Sequence, residues 1–348
     1  MFIGPRRPGT WAKEMKKIAI LGGGSWGTAL AIALPRSRQP HSLSLWVHNV
    51  ELARAMRESR VNEVYLPGFD LPREVHVTHE LSTALDGAEI VLGVMPSEHA
   101  RELYVSILPY IHSRMTFVSA TKGLDSSSLE RMTQVITAVC QPKFVPRVAA
   151  LSGPSFAREV ARGDPTAVVV AAHEKGLAES LQEELSGPTF RLYTNSDVTG
   201  VELGGAVKNV VAIAAGVCQG LGLGHNTAAA LITRGLAEMT RLACALGGRT
   251  ETLAGLAGMG DLVLTCTGGL SRNRQVGVAL GKGGRLEQIL SATRMVAEGV
   301  RTTIAIRELS RRAGIEMPIT EQMYAVLYEG RAPRDAIREL MDRQLKQE

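Results

Sequence analysis

A doubly wound α/β unit followed by an all-helical one is the fold class that this 348-residue sequence predicts, on three observations. First, the apolar run Lys16–Leu21 feeds into Gly22-Gly23-Gly24-Ser25-Trp26-Gly27 and then an Ala- and Leu-rich segment. Strand, glycine turn and helix in that order is the context in which Gly-x-Gly-x-x-Gly signifies dinucleotide binding. Second, β-type runs alternate with helical patterns through the first half of the chain, as in a sheet with helices on both faces. Third, composition changes near Asp197: from Val198 onward, long Ala, Leu and Gly helices replace the β-rich runs. These observations divide the chain into a dinucleotide-binding domain at 16–197 and a helical domain at 198–348, and two domains suit the length.

The elements follow in order. Gly22 permits the tight turn, Gly24 lets backbone approach a pyrophosphate, and Gly27 lets the helix pack against the strand. The helix start offers free N–H groups and a positive dipole end to phosphates. Ser42–Val47 reads as the second strand, Glu51–Arg60 as a helix, and Asn62–Pro72 as a loop of turn formers. A short strand (Val75–Val77) and a short helix (Glu80–Leu85) precede Glu89–Met95, whose continuous apolar run predicts a strand buried on both faces. Then come helix Glu98–Ile111, strand Met115–Ala120, helix Ser127–Cys140 and strand Arg147–Leu151. Strands Pro165–Ala172 and Phe190–Thr194 flank helix Lys175–Leu185. The second unit opens with a buried helix, Val198–Ala215, broken by the glycines of 220–224. Asn226-Thr227 caps the next helix, Ala228–Leu246, on which Glu238 and Arg241 face water or each other. Helical patterns at 276–280, 286–292, 302–313 and 318–328 lead to the charged Arg334–Glu348, a solvated C-terminal helix or tail.

Composition sets bounds. Hydrophobic residues at 45% and charged residues at 21% are ordinary for a soluble globular chain. Cys140, Cys218, Cys244 and Cys266 have no short pairing, which points to reduced buried thiols in a cytoplasmic protein, with no metal site. No apolar run reads as long enough to cross a membrane. The net charge of +5 is spread along the chain, and aromatics are only 4%, so nucleic acid is not indicated as a partner. Met1–Lys13 lacks the apolar core of a signal peptide; residues 1–15 read as a disordered extension, with Met15 as an alternative start.

Several side chains are candidates for chemistry. His48 ends the second strand, where an acidic residue usually binds the adenosine ribose. It either faces a 2′-phosphate or is a surface histidine. Lys122 follows a strand end in the crevice where ligands bind, as an anion contact or a solvated loop lysine. Lys208 lies mid-helix among apolar neighbours. Desolvation there lowers an amine's pKa toward neutrality, making it a workable acid/base; the alternative is a lysine snorkelling to the surface. Arg272 and Arg274 open a helix, as a phosphate site or as surface charge.

Several blocks of the chain together resemble the bacterial NAD(P)-dependent sn-glycerol-3-phosphate dehydrogenase family. They are Gly22-Gly-Gly-Ser-Trp-Gly-Thr-Ala-Leu-Ala31, Ala120-Thr-Lys-Gly-Leu124, Leu151-Ser-Gly-Pro-Ser-Phe-Ala157 and Gly200-Val-Glu-Leu-Gly-Gly-Ala-Val-Lys-Asn209. Ala230–Met239, Gly258–Thr267 and Ser271–Arg274 continue the match. The resemblance implies a Rossmann-type domain and reversible hydride transfer between NAD(P)H and dihydroxyacetone phosphate, giving sn-glycerol 3-phosphate for glycerophospholipid biosynthesis. It implies Lys208 as the acid/base, with Lys122, Gly153, Ser155, Lys208, Asp261, Ser271, Arg272 and Asn273 on the substrate. For NAD or NADP it implies Gly22, Gly24, Ser25, Trp26, Gly27, His48, Lys122, Ala157, Arg272, Val296 and Glu298. It also suggests a homodimer. Hydroxyacid and 6-phosphogluconate dehydrogenases pair similar domains, but the Gly-Gly-Ala-Val-Lys-Asn and Gly-Met-Gly-Asp-Leu blocks favour the first family. A catalytically silent dinucleotide sensor or a nucleic-acid binder does not account for Lys122, Lys208, Asp261 and Arg272 together.

Overall fold

A computed structural model describes residues 15–291 and 297–344. Val296 and nearly all of the N-terminal extension lie outside the described residues. The first part contains strands β1 (Lys16–Leu21), β2 (His41–Trp46), β3 (Val61–Asn62), β4 (Leu66–Asp70), β5 (Val75–Thr78), β6 (Ile90–Gly93), β7 (Thr116–Ser119), β8 (Arg147–Ser152), β9 (Thr166–Ala171) and β10 (Phe190–Asn195). Its helices are α1 (Ser25–Ala33), α2 (Val50–Ser59), α3 (Leu81–Leu85), α4 (Ala100–Ile107), α5 (Met132–Cys140), α6 (Ala157–Arg162) and α7 (Leu177–Leu185). The second part is helical: α8 (Val198–Gly220), α9 (His225–Ala245), α10 (Thr250–Ala254), α11 (Asp261–Thr267), α12 (Arg272–Gly281), α13 (Leu286–Ser291), α14 (Glu298–Arg312), α15 (Pro318–Tyr328) and α16 (Pro333–Met341).

Eight strands form one sheet in the order β10-β9-β8-β7-β6-β1-β2-β5. Pairing is parallel from β5 through β8, β9 runs antiparallel to β8, and β10 is parallel to β9. The chain leaves β1 toward β2 on one side and returns to β6 on the other, so the strand order reverses at β1. That reversal opens a crevice at the carboxyl ends of β1 and β6, where α/β sheets bind ligands. One apolar core joins the sheet to α1, α6 and α7, and another lies on the opposite face under α3, α4 and α5. The doubly wound Rossmann-type fold read from the alternation is the fold observed.

The helical part is organised around α8, whose residues Val198–Cys218 are all buried. Its 23 residues, with a mean hydropathy of 1.5, are long and apolar enough to cross a membrane, contrary to the sequence expectation, but that apolar stretch is entirely buried within the protein. The tight fit to α12 comes from missing side chains. A Cβ on Gly216 would lie 2.0 Å from the Arg274 carbonyl oxygen, and one on Gly277 would lie 2.0 Å from that of Ile213. Only hydrogen at both positions lets the two backbones come this close.

The two parts are tied together by polar bonds and shared core. Glu202 of α8 accepts from the Thr133 N–H (2.8 Å), the Thr133 hydroxyl (2.7 Å) and Arg131 (2.6 Å) at the start of α5. Leu124 and Leu129, from the segment after β7, enter the helical core.

Several local expectations need correction. The segment 61–70 is a two-stranded antiparallel hairpin, β3–β4, rather than a loop. The helix expected from Ser127 begins only at Met132. Asp125 accepts from the Ser127 N–H (3.0 Å) and hydroxyl (2.8 Å), and Leu129 has φ +64°, so the chain turns where the pattern predicted a helix. Gly224, not Asn226-Thr227, occupies the cap of α9. Glu238 is buried and accepts from the Ile319 N–H (2.7 Å), and burial pushes its carboxyl up to about 7. Cys244 is exposed, while the other three thiols are buried.

The α8–α12 contact predicts the outcome of Gly277→Ala. Alanine gains about 1 kcal/mol of helix propensity, but relieving the overlap with the Ile213 carbonyl costs more, as overpacking typically costs about 1–3 kcal/mol. The variant is expected to unfold at a lower denaturant midpoint than the wild type; an equal or higher midpoint would show that the helices have room to spare.

Candidate active site

The glycine turn is shaped by steric necessity. Gly22 has φ +133°, and a Cβ there would lie 2.6 Å from the Val94 carbonyl oxygen; on Gly27 it would lie 1.8 Å from that of Gly22. Gly24 differs, since a Cβ there would meet nothing within 4 Å. The open space lies before α1, whose first intrahelical bond is Thr28 N–H to Gly24 O (3.0 Å). The preceding N–H groups, from Ser25 to Gly27, have no acceptor within the helix. An open seat with N–H donors that the helix leaves without an acceptor fits a dinucleotide pyrophosphate. Arg272 reaches this seat from the helical part and donates to the Ser25 hydroxyl.

Deeper in the crevice, one carboxylate joins two ammonium groups. Asp261, at the first position of α11, is 1% exposed. Its Oδ2 accepts from Lys122 Nζ at 2.8 Å, and its Oδ1 accepts from Lys208 Nζ. Lys122 also donates to the Gly153 carbonyl (2.8 Å) and the Ser155 hydroxyl (3.3 Å), just past β8. Lys208 also donates to Thr265 Oγ1 (3.0 Å), and that hydroxyl donates to the Asp261 carbonyl (2.6 Å). Lys208 does not snorkel; it is 5% exposed. Burial lowers its pKa to about 8, against the upward pull of Asp261 and with a further lowering by Lys122.

Glu298, in the first turn of α14, faces the same charges. Burial pushes its carboxyl up to about 7, although Lys208, Lys122 and Arg272 all favour its ionised form. Burial likewise lowers the Arg272 guanidinium, with Glu298 opposing.

The remaining expected residues sit in different ways. Ser271 caps α12, its hydroxyl accepting from the Arg274 N–H (3.3 Å). The Asn273 side chain donates to Asn209 Oδ1 (2.9 Å) and accepts from the Gly299 N–H (3.0 Å), so each end of its amide has a partner within the protein. Trp26 begins at the glycine turn, but its half-buried ring packs against the core near Phe190, 6.3 Å between centroids. His48 is exposed beyond β2, edge-on to Trp46. Asn49 caps α2 through the Leu52 N–H (2.8 Å). Ala157 opens α6. Thr265 was missed by sequence reasoning, although its i+4 spacing from Asp261 puts both on one helix face.

Two sequence profiles match the chain. The one described as NAD-dependent glycerol-3-phosphate dehydrogenase N-terminus covers residues 17–178, and its C-terminal counterpart covers 197–338. The chain belongs to the NAD-dependent glycerol-3-phosphate dehydrogenase family. It is 58% identical over 330 residues to glycerol-3-phosphate dehydrogenase (NAD(P)+) of Koribacter versatilis, covering 94% of this chain and 98% of that protein. The corresponding protein of Acidobacterium capsulatum is 52% identical, with 94% and 98% covered. Among solved structures, glycerol-3-phosphate dehydrogenase from Coxiella burnetii matches with a TM-score of 0.89 and 41% identity, over 94% of this chain and 99% of that one.

The shared carboxylate sets the sign of a titration. Asp261 holds the Lys208 pKa up against burial, so Asp261→Asn should move the Lys208 midpoint below about 8. The Lys208 Cε chemical shift, followed by NMR against pH, reads this directly. An unchanged or higher midpoint would contradict the assigned electrostatics.

Proposed function

We propose that this protein is an NAD(P)-dependent glycerol-3-phosphate dehydrogenase that interconverts dihydroxyacetone phosphate and sn-glycerol 3-phosphate. The observation that carries the chemistry is the buried Lys208 ammonium, with a pKa of about 8, fixed by Asp261 and Thr265. Residues 16–197 hold the dinucleotide and 198–348 supply most of the substrate site. A bound reduced nicotinamide supplies the hydride that reduces the C2 carbonyl carbon.

The chain's own residues do the rest. Reduction builds negative charge on the C2 oxygen; Lys208 stabilises that charge and donates a proton from Nζ. In the oxidative direction its neutral amine takes the hydroxyl proton. Asp261 holds Lys208 and Lys122 in register, and Lys122, Gly153 and Ser155 line the substrate's other side. Arg272 and the α12 N-terminus, with Ser271 and the Asn273 backbone, hold the phosphate, supplying binding energy remote from the reacting carbon. Gly22, Gly24, Ser25, Trp26 and Gly27 seat the pyrophosphate through backbone, with Ala157 and Glu298 along the rest of the dinucleotide.

His48 stands beside the adenosine ribose in this reading, and no carboxylate immediately follows β2. The first acid, Glu51, pairs with exposed Arg54 at 2.5 Å. Both NADH and NADPH are therefore accepted. The enzyme works in the cytoplasm as a homodimer, and its product enters glycerophospholipid synthesis. Exposed Met259, Val263 and Leu270 around α11 support a second copy covering apolar surface.

The test follows absorbance at 340 nm with dihydroxyacetone phosphate and either reduced dinucleotide. Wild-type turnover with loss of about 10³-fold or more in Lys208→Ala is expected, as removing an acid/base costs about 10²–10⁴-fold. Turnover that survives would move proton transfer away from Lys208. Because the acid form donates in reduction, kcat/KM for reduction should fall as pH rises through about 8, while that for oxidation rises. The opposite slopes would reject the assignment. His48→Asp should weaken NADPH relative to NADH by tenfold or more, since like charges repel; parallel losses for both would place the 2′-phosphate elsewhere.

A further inference from the structure

Asn62 has no exposed surface, and neither does Thr28. It lies at the end of β3, in the hairpin that the sequence pattern presented as a plain loop. Its Nδ2 donates to the Gly23 carbonyl at 2.9 Å and to Thr28 Oγ1 at 2.8 Å, using both amide hydrogens. Its Oδ1 accepts from the Tyr65 N–H at 3.1 Å. The partners leave one orientation of the amide, because a carbonyl only accepts and a backbone N–H only donates.

We propose that Asn62 is a positioning residue for the dinucleotide, holding the glycine turn in the shape that receives the pyrophosphate. The reasoning starts from the peptide plane. In a trans peptide the C=O and the next N–H point in opposite directions, and the chain has no cis bonds among the described residues. Pinning the Gly23 carbonyl to the buried side therefore turns the Gly24 N–H outward. Without Asn62, this three-glycine turn has many accessible conformations, including ones that aim the Gly23 carbonyl at an anion. The bond to Thr28 locks the same amide to the first turn of α1, so turn and helix N-terminus are held as one unit. The bond from the Tyr65 N–H ties the turn between β3 and β4 to the same amide. Asn62 thus joins the floor of the pyrophosphate seat to the first turn of α1 and to the β3–β4 hairpin.

This inference rests on reading the turn as a dinucleotide site, and the experiment separates the two. The dissociation constants of NADH and NADPH are measured by nicotinamide fluorescence, without substrate, for wild type, Asn62→Ala and Asn62→Asp. Asn62→Asp keeps the shape and the Tyr65 acceptor but loses both donors, so it tests the idea even where alanine fails to fold. Each variant should weaken both dinucleotides by about tenfold or more, the equivalent of about 1.4 kcal/mol. Thr28→Ser, which retains the hydroxyl, should bind as wild type, and Thr28→Val should lose affinity. The KM for dihydroxyacetone phosphate at saturating dinucleotide should move far less than the dinucleotide constants. Unchanged dinucleotide affinity in Asn62→Asp, or an equal loss in substrate KM, would overturn the proposal. A wild type that binds neither dinucleotide would instead overturn the functional reading itself.

Discussion

The structure depends most on a single carboxylate held between two ammonium groups. Asp261 is buried where the sheet's carboxyl edge meets the helical part, with Lys122 from one and Lys208 from the other. An unpaired charge at that depth would cost several kcal/mol, so each of the three groups is tolerable only because of the others. The arrangement also leaves a surplus. Two lysines and Arg272 face Asp261 and Glu298, and burial keeps Glu298 part-protonated near neutral pH. The crevice is therefore cationic before any ligand arrives, which suits a phosphorylated substrate and a pyrophosphate better than the modest overall charge of +5 suggests.

Holding that cluster requires backbone approaches that ordinary side chains would prevent. Gly216 and Gly277 bring α8 and α12 together, so the helix bearing Lys208 lies directly against the one that starts with Arg272. Glu202, six residues before Lys208, fixes the same helix to the start of α5. Leu124 and Leu129 carry the segment after Lys122 into the helical core. Each lysine is thus positioned by contacts reaching into the other half of the molecule. This accounts for a catalytic centre at the junction rather than within either half.

Much of this was legible in the sequence because the relevant signals are local. The glycine turn, the apolar run at Ile90–Gly93 and the lysine in an apolar helix each announce themselves within a few residues. The family blocks join Lys122, Lys208 and Asp261 on sequence alone. What stayed hidden depends on side-chain partners that composition and periodicity do not reveal. Glu238 looks like an ordinary surface acid beside Arg241, and only the packing of α15 makes it a buried helix cap. Ser127–Arg131 has helical composition, but Asp125 offers its backbone and hydroxyls a competing turn. Asn273 is expected at the substrate, and its side-chain bonds to Asn209 and Gly299 are contacts that no local pattern announces.

Asn62 is the clearest case of the same limit, and it shows where specificity enters such folds. Glycines give the turn its permission to approach a phosphate, but permission is not a conformation. A chain of three glycines gains freedom as it loses bulk, so an affinity built on its N–H groups needs a fixed point outside the motif. Here that point lies more than thirty residues downstream, in a hairpin with few local signals, and its amide is fully used by the turn, the helix and Tyr65. The motif marks where a dinucleotide can come close; a buried amide from another part of the sheet's surroundings determines how the backbone meets it.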